Sequence, residues 1–172
     1  MIKVVLVGYM GSGKSSVGKK LASSMDLPFV DLDELIEKKE GISINNLFAS
    51  KGEIYFRKLE SEILKQVLSK KDSFVLSLGG GTPCYFNNHE LLKHDSVVSI
   101  YLKATAISLA NRLTVEKTTR PLLTNLNDEE LIDYINKHLF DRSFYYHQVA
   151  HVVSVDDKSI TQIVAEISDL LR

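Results

Sequence analysis

Residues Gly8-Tyr9-Met10-Gly11-Ser12-Gly13-Lys14-Ser15 read G-x-x-x-x-G-K-S, a spacing that lets a chain wrap phosphate oxygens in its own backbone N–H groups. The glycines allow those groups to turn inward, and a helix starting behind them adds its partial positive charge. Lys14 brings a full charge to the β and γ phosphates, and the Ser15 hydroxyl is a magnesium ligand. The flanks suit the motif. Ile2 to Val7 is a β-branched run suited to a strand buried on both faces, and Val17, Leu21, Ala22 and Met25 fall at helical spacing after Ser15. The chemistry implied is binding of ATP or GTP.

A GTPase is disfavoured, because there is neither an N-K-x-D run to read guanine nor a D-x-x-G switch after the third expected strand. That strand ends Ser77-Leu78-Gly79 without the aspartate that commonly supports the metal, so support must come from elsewhere. Asp31, at the tip of the second expected strand, is the nearest candidate, and Asp33 follows two residues on. If strand geometry persists, both carboxylates face one side and flank a cavity beside the phosphate loop, one for the metal and one for an acceptor hydroxyl. The alternative is that Asp33 caps a helix over 33–39.

Sixteen of the 21 basic residues are Lys and only five are Arg, at 57, 112, 120, 142 and 172. Where Lys fills the surface, the few Arg are expected where a planar bidentate fork matters, as for carboxylate or phosphate oxygens, although an isolated surface Arg is the ordinary case. Arg112 and Arg120 bracket the polar stretch from Leu113 to Thr119, which reads either as a flap over phosphates or as an inert loop. Gly79-Gly80-Gly81 reads either as a turn that permits close backbone approach to a ligand at the end of the third strand or as a flexible strand exit.

The elements that must position these residues alternate strand and helix. Short strands are expected at 29–31, 73–78, 97–102 and 151–155, and the region from Asp33 to about Ser69 is helical throughout with breaks at Gly41 and Gly52. Its last helix carries Phe56, Leu59, Ile63 and Val67 on one face. A short helix is expected near 89–93, and others start at Thr105, at Asn127 or Asp128, and at Ser159, which has capping-box spacing to Gln162. This is an α/β pattern: a five-stranded parallel sheet with helices on both faces and function at the carboxyl ends of the strands.

The chain has 172 residues, 44% of them apolar and 25% charged, which fits one domain spanning 1–172 with a real core. Its formal charge of −1 lacks the basic excess that binding to a nucleic-acid backbone requires. A single cysteine, Cys84, gives no sign of an oxidising compartment, and no run is long and apolar enough for a membrane span or a signal-peptide core. A cytoplasmic protein without a membrane or nucleic-acid partner is expected.

With Asp31-Leu-Asp33, Gly52-Glu53-Ile-Tyr-Phe56-Arg57-Lys-Leu-Glu60, Gly79-Gly80-Gly81, Arg120-Pro-Leu-Leu and Arg142-x-x-x-Tyr146-x-x-x-Ala150 set beside the phosphate loop, the chain resembles the shikimate kinase family from its first strand to its last helix. The resemblance implies a P-loop kinase of nucleoside monophosphate kinase-like architecture that uses ATP and Mg2+ to phosphorylate shikimate to shikimate 3-phosphate in aromatic amino-acid biosynthesis. It implies a monomer, a substrate-binding segment at about 33–60 and a lid at about 112–124. Nucleotide contacts are implied for Gly11, Ser12, Gly13, Lys14, Ser15 and Ser16, with Arg112 stacked on adenine and Arg120 on ATP phosphates. Ser15 and Asp31 carry the metal. Asp33, Arg57, Gly79, Gly80, Gly81 and Arg142 carry shikimate, with Glu60 behind Arg57 and Phe48 and Phe56 as an apolar wall. Lys14, Asp33 and Arg120 form the implied catalytic set, Asp33 being a candidate base. Gln148 departs from the family by standing where an acidic residue is expected.

A kinase of another small acid, such as gluconate, would keep the loop and change the acceptor pocket. The Arg57 and Arg142 pair with the three glycines favours the cyclic acid. A nucleoside monophosphate kinase would carry a D-G-F-P-R run that is missing here. A nucleotide-binding regulator without turnover would not need Lys14, Asp33 and Arg120 together.

Overall fold

A computed structural model describes residues 1–116 and 123–172. In chain order the elements are β1 (Lys3–Val7), α1 (Lys14–Ser24), β2 (Phe29–Asp31), α2 (Leu32–Glu40), α3 (Ile44–Ser69), β3 (Phe74–Ser77), a 3-10 turn (Thr82–Cys84), α4 (Asn88–Leu91), β4 (Val97–Lys103), α5 (Ala106–Val115), α6 (Asp128–Tyr146), β5 (His151–Ser154) and α7 (Ile160–Leu170). The five strands are parallel in the order β2-β3-β1-β4-β5. Every residue of β1 is buried, because helices cover the sheet on both sides and leave no polar alternation.

Strand order reverses beside β1. The chain crosses from β1 to β2, returns to place β3 between them, and then moves to the far side of β1 for β4. The connections leaving β1 and β3 therefore diverge and open a crevice at their carboxyl ends, the usual ligand position in such sheets. The phosphate loop leaves β1 and the three glycines leave β3, so both glycine-rich segments arrive at this crevice.

Local signals set most helix boundaries. Thr105 caps α5 through Ser108 N–H, and Asn127 with Glu130 and Ser159 with Gln162 form complete capping boxes at α6 and α7. The expected break at Gly52 is a kink inside α3 (φ 82°, ψ 171°), and Phe56, Leu59, Ile63 and Val67 beyond it are all buried. The cap of α2 corrects one of the alternatives above. β2 ends at Asp31, and it is Asp31, not Asp33, that caps α2, one of its carboxylate oxygens accepting from Asp33 N–H at 2.9 Å and Glu34 N–H at 3.2 Å. Asp33 is thus left in the first helical turn with its side chain free of capping duty. The two carboxylates reach the same cavity by this strand-to-helix corner rather than by strand alternation. Among the described residues no helix is long and apolar enough to cross a membrane.

Candidate active site

The crevice holds a cavity of about 290 Å³ between the phosphate loop, Asp31, Asp33 and the Ser77 to Gly80 exit of β3. Gly11 (φ 82°) and Gly13 (φ 95°) adopt left-handed backbone that a side chain would strain, which turns the loop around this space and starts α1 at Lys14. Gly13, Lys14, Ser15 and Ser16 line it, and Lys14 Nζ donates to the carbonyls of Gly8 (2.7 Å) and Tyr9 (3.1 Å) at the loop's base. Ser12 is placed differently from the other loop residues. It does not line the cavity, and its buried hydroxyl lies under Gly8, where a methyl group would be 2.6 Å from it.

Ser15 Oγ donates to the second oxygen of Asp31 at 3.3 Å. Asp31 is therefore fixed twice, by the start of α2 and by the start of α1, and presents an oxygen pair beside the phosphate loop. Hydroxyl and carboxylate oxygens are the donor types that magnesium takes, so the pair fits that ion with water completing its shell.

A second cavity of about 160 Å³ adjoins the first and is lined by Asp33, Ile44, Phe48, Phe56, Arg57, Glu60 and the three glycines. Its charged wall is a short chain of contacts. Arg57 Nη1 pairs with Glu60 at 2.8 Å, and the other oxygen of Glu60 accepts from Thr82 Oγ1 at 2.8 Å. Glu60 has no exposure at all, so these partners hold an ion that would otherwise be costly to bury. The Arg57 guanidinium also lies 4.1 Å from the Tyr85 ring centre and 5.0 Å from that of Phe56, which fixes the plane of its fork. Phe48 and Phe56 pack at 4.5 Å between ring centres and form the cavity's apolar side.

The glycines matter here because charged side chains crowd them. A methyl on Gly81 would stand 2.5 Å from Arg57 Nη2, one on Gly80 3.3 Å from Arg142 Nη1, and one on Gly79 3.1 Å from Asp33 Oδ1. Arg57 from α3 and Arg142 from α6 thus converge on one turn. Arg142 lies over the Tyr9 ring, 5.4 Å from its centre.

Asp33 lies on the wall common to both cavities. Burial, and then the neighbouring carboxylates of Asp31 and Glu60, push its carboxyl up to about 6, with Lys14 opposing them. Arg112 reaches the outside of the phosphate loop, donating to Gly11 O at 3.1 Å, and lines neither cavity. Arg120 lies outside the described residues, as do 117–119 of the expected flap, while Glu116 just before them lines the phosphate cavity.

Three residues matter that sequence reasoning gave no role. Thr82 is fully buried against Glu60. Tyr146 Oη donates to Gly80 O at 2.5 Å and accepts from Arg142 Nη1 at 3.4 Å, tying Arg142 to the turn. Tyr9 Oη pairs with His138 Nδ1 at 2.8 Å and so joins the phosphate loop to α6. Only the four-residue spacing of Arg142 and Tyr146, which puts them on one helix face, was visible beforehand. Cys84 is half-buried near the same turn, and burial pushes its thiol up to about 11, against the pull of Arg142 and Arg57.

The family model "Shikimate kinase" matches residues 10–172. The shikimate kinases of Flavobacterium johnsoniae and Flavobacterium psychrophilum are each 50% identical to this chain over 171 residues, covering 99% of both sequences. The crystal structure of shikimate kinase from Bacteroides thetaiotaomicron is 33% identical and superposes with a TM-score of 0.91, covering 99% of this chain and 98% of its own. Shikimate kinase from Acinetobacter baumannii, in complex with shikimate, is 30% identical with a TM-score of 0.87, covering 99% and 93%. A full-length match in sequence, joined to a phosphate-loop cavity and an arginine-lined cavity that meet at one carboxylate, places the chain in the shikimate kinase family.

Proposed function

We propose that this chain transfers the γ-phosphoryl group of ATP to the 3-hydroxyl of shikimate, giving ADP and shikimate 3-phosphate, a step of aromatic amino-acid biosynthesis. The observation that carries this reading is the position of Asp33 on the wall between the cavity at the phosphate loop and a smaller one with an arginine, a buried carboxylate and aromatic rings. Phosphoryl transfer needs an acceptor hydroxyl held in line with the γ phosphorus, and a carboxylate at the junction is where that hydroxyl must sit.

In this reading Arg57 and Arg142 bind the shikimate carboxylate from opposite helices, the backbone of Gly79 to Gly81 and Asp33 hold its ring hydroxyls, and Phe48 and Phe56 cover its apolar edge. Thr82 and Glu60 keep Arg57 in register, and Tyr146 does the same for Arg142. A carboxyl near 6 is largely ionised at neutral pH yet basic enough to accept the hydroxyl proton as the new P–O bond forms. Lys14, on its four-carbon stem, swings from the loop carbonyls to the β and γ phosphate oxygens. The N–H groups of Gly11 to Ser16 and the start of α1 take the remaining phosphate charge. Ser15 and Asp31 would hold magnesium, which when bound with ATP neutralises phosphate charge and draws electrons from the transferred group. Arg112, beside the loop, would flank the adenine.

We assign shikimate binding to the segment at about 33–60 and the cover over the nucleotide to about 112–124. The presence of Glu116 on the cavity wall supports the second assignment. Arg120 retains its implied contact with ATP phosphates, outside the described residues. An ADP-release assay with shikimate and gluconate in parallel tests the reading. ADP production that depends on shikimate is expected, and production driven by gluconate, or independent of either acid, would refute it.

A further inference from the structure

A third cavity lies at the opposite end of the sheet from the ATP crevice, at the amino ends of β1 and β4 and beneath the last turn of α3. Its volume is about 640 Å³, within the range of small-molecule sites, and Met1, Leu68, Leu91 and Val97 give it an apolar wall. Five of the sixteen lysines of a chain with a formal charge of −1 surround it: Lys3, Lys65, Lys70, Lys71 and Lys93. The one acidic residue on its wall, Glu90, is committed to Lys93 at 2.8 Å and to His89 at 3.0 Å.

Lys3 makes this more than a patch of surface lysines. It stands at the first position of β1 with only 3% of its surface exposed, and an ammonium carries three donors. One donates to Leu68 O, at the carboxyl end of α3, at 2.5 Å, and among the described residues no carboxylate pairs with it. A buried ammonium with one neutral acceptor, facing a cavity rimmed by further positive charge, lacks the counter-ion that such burial calls for. Inorganic anions would satisfy the charge but leave the leucine walls wet. A molecule with an anionic head and an apolar body satisfies both.

We propose that this cavity binds a small amphipathic carboxylate, an alkyl or aryl body with one terminal carboxyl group. The head sits on Lys3, the body lies against Leu68 and Leu91, and Lys65 and Lys71 attract it from the rim. The site is remote from the phosphate loop and does not depend on the activity proposed above.

The test is a titration of ¹⁵N-labelled protein with 4-phenylbutyrate, 4-phenylbutan-1-ol and inorganic phosphate, followed by amide shifts residue by residue. Saturable shifts at 65–71 and 90–97 are expected for the carboxylate, with the alcohol and phosphate each at least about tenfold weaker. Lys3→Met, which keeps most of the apolar stem, should weaken the carboxylate about tenfold. If that variant does not fold, the exposed pair Lys65→Glu and Lys71→Glu provides the same decision by reversing the rim charge. Shifts confined to the loop and the three glycines, equal binding of the alcohol, equal binding of phosphate, or unchanged affinity in a folded variant would each overturn the proposal.

Discussion

Replacing Asp33 by Asn should make the protein slower and more stable at once, and the two effects have one cause. The usual aspartate value of 3.8 is pushed up to about 6 by burial and by the carboxylates of Asp31 and Glu60. Because the folded-state value is the raised one, ionising Asp33 costs the fold. Stability from this group is full below about pH 4, is lost as pH rises through about 6, and stays lost above that. Roughly two units at about 1.4 kcal/mol each give a penalty near 3 kcal/mol at pH 7.5. Asn removes the charge and keeps the shape, although its amide does not match every acceptor position, so a net gain of about 1 to 3 kcal/mol is expected. For a domain of this length that raises Tm by roughly 2 to 12 °C. The assay is thermal unfolding of both proteins, free of nucleotide and magnesium, from pH 4 to 8. The difference should be small at pH 4, grow to pH 6 and then level off, while kcat with shikimate falls about 10²-fold or more. Wild-type kcat/KM should fall below about pH 6 as the same carboxyl takes up its proton. A variant no more stable than wild type at pH 7.5, or a stability gain that is the same at every pH, would refute the account of Asp33 as a buried, repelled carboxylate.

Arg57→Lys keeps the charge but loses the planar fork that Glu60 and the Tyr85 ring hold, so KM for shikimate should rise about tenfold or more with a smaller change in kcat. Steady-state kinetics decides it, and an unchanged KM would remove Arg57 from the substrate clamp. Gly81 has an ordinary backbone (φ −93°, ψ −10°), so Gly81→Ala adds no backbone strain but sets a methyl 2.5 Å from the Arg57 guanidinium. Arg57 must move, and the variant should reproduce the KM rise of Arg57→Lys with little loss of Tm. A larger effect on Tm than on KM would contradict this. Cys84, with its thiol near 11, should react with iodoacetamide far more slowly at pH 7.5 than a free thiol and speed up steeply toward pH 10. Fast labelling at neutral pH would contradict a thiol held up by burial.

What could be read along the chain was what local physics decides. The phosphate loop is contiguous, and its glycines, Lys14 and Ser15 act through backbone conformation and a helix start within a few residues of one another. The capping boxes at Asn127 and Ser159 close over three residues, and the buried face from Phe56 to Val67 repeats at the helical period, so each was visible without a partner. The strand at 29–31 and the break at Gly52 were legible for the same reason. For the residues proposed to hold the substrate, Arg57, Arg142 and the three glycines, sequence offered only types and a resemblance.

Tertiary structure decided the rest, because it depends on which distant groups the crossovers bring together. Where β2 ends makes Asp31 the helix cap and leaves Asp33 facing two cavities, a choice that aspartates two residues apart leave open. Thr82 against Glu60, Tyr146 on Gly80 and Tyr9 on His138 are contacts between different elements, with no pattern in either partner to announce them. The basicity of Asp33 is set first by burial and then by the carboxylates of Asp31 and of Glu60 from α3, and the burial and the approach of Glu60 exist only once the sheet closes the crevice. Short-range order comes from the preferences of a few adjacent residues, whereas a buried charge and its partner are properties of the packed molecule, which is why the loop could be read from the chain and the junction at Asp33 could not.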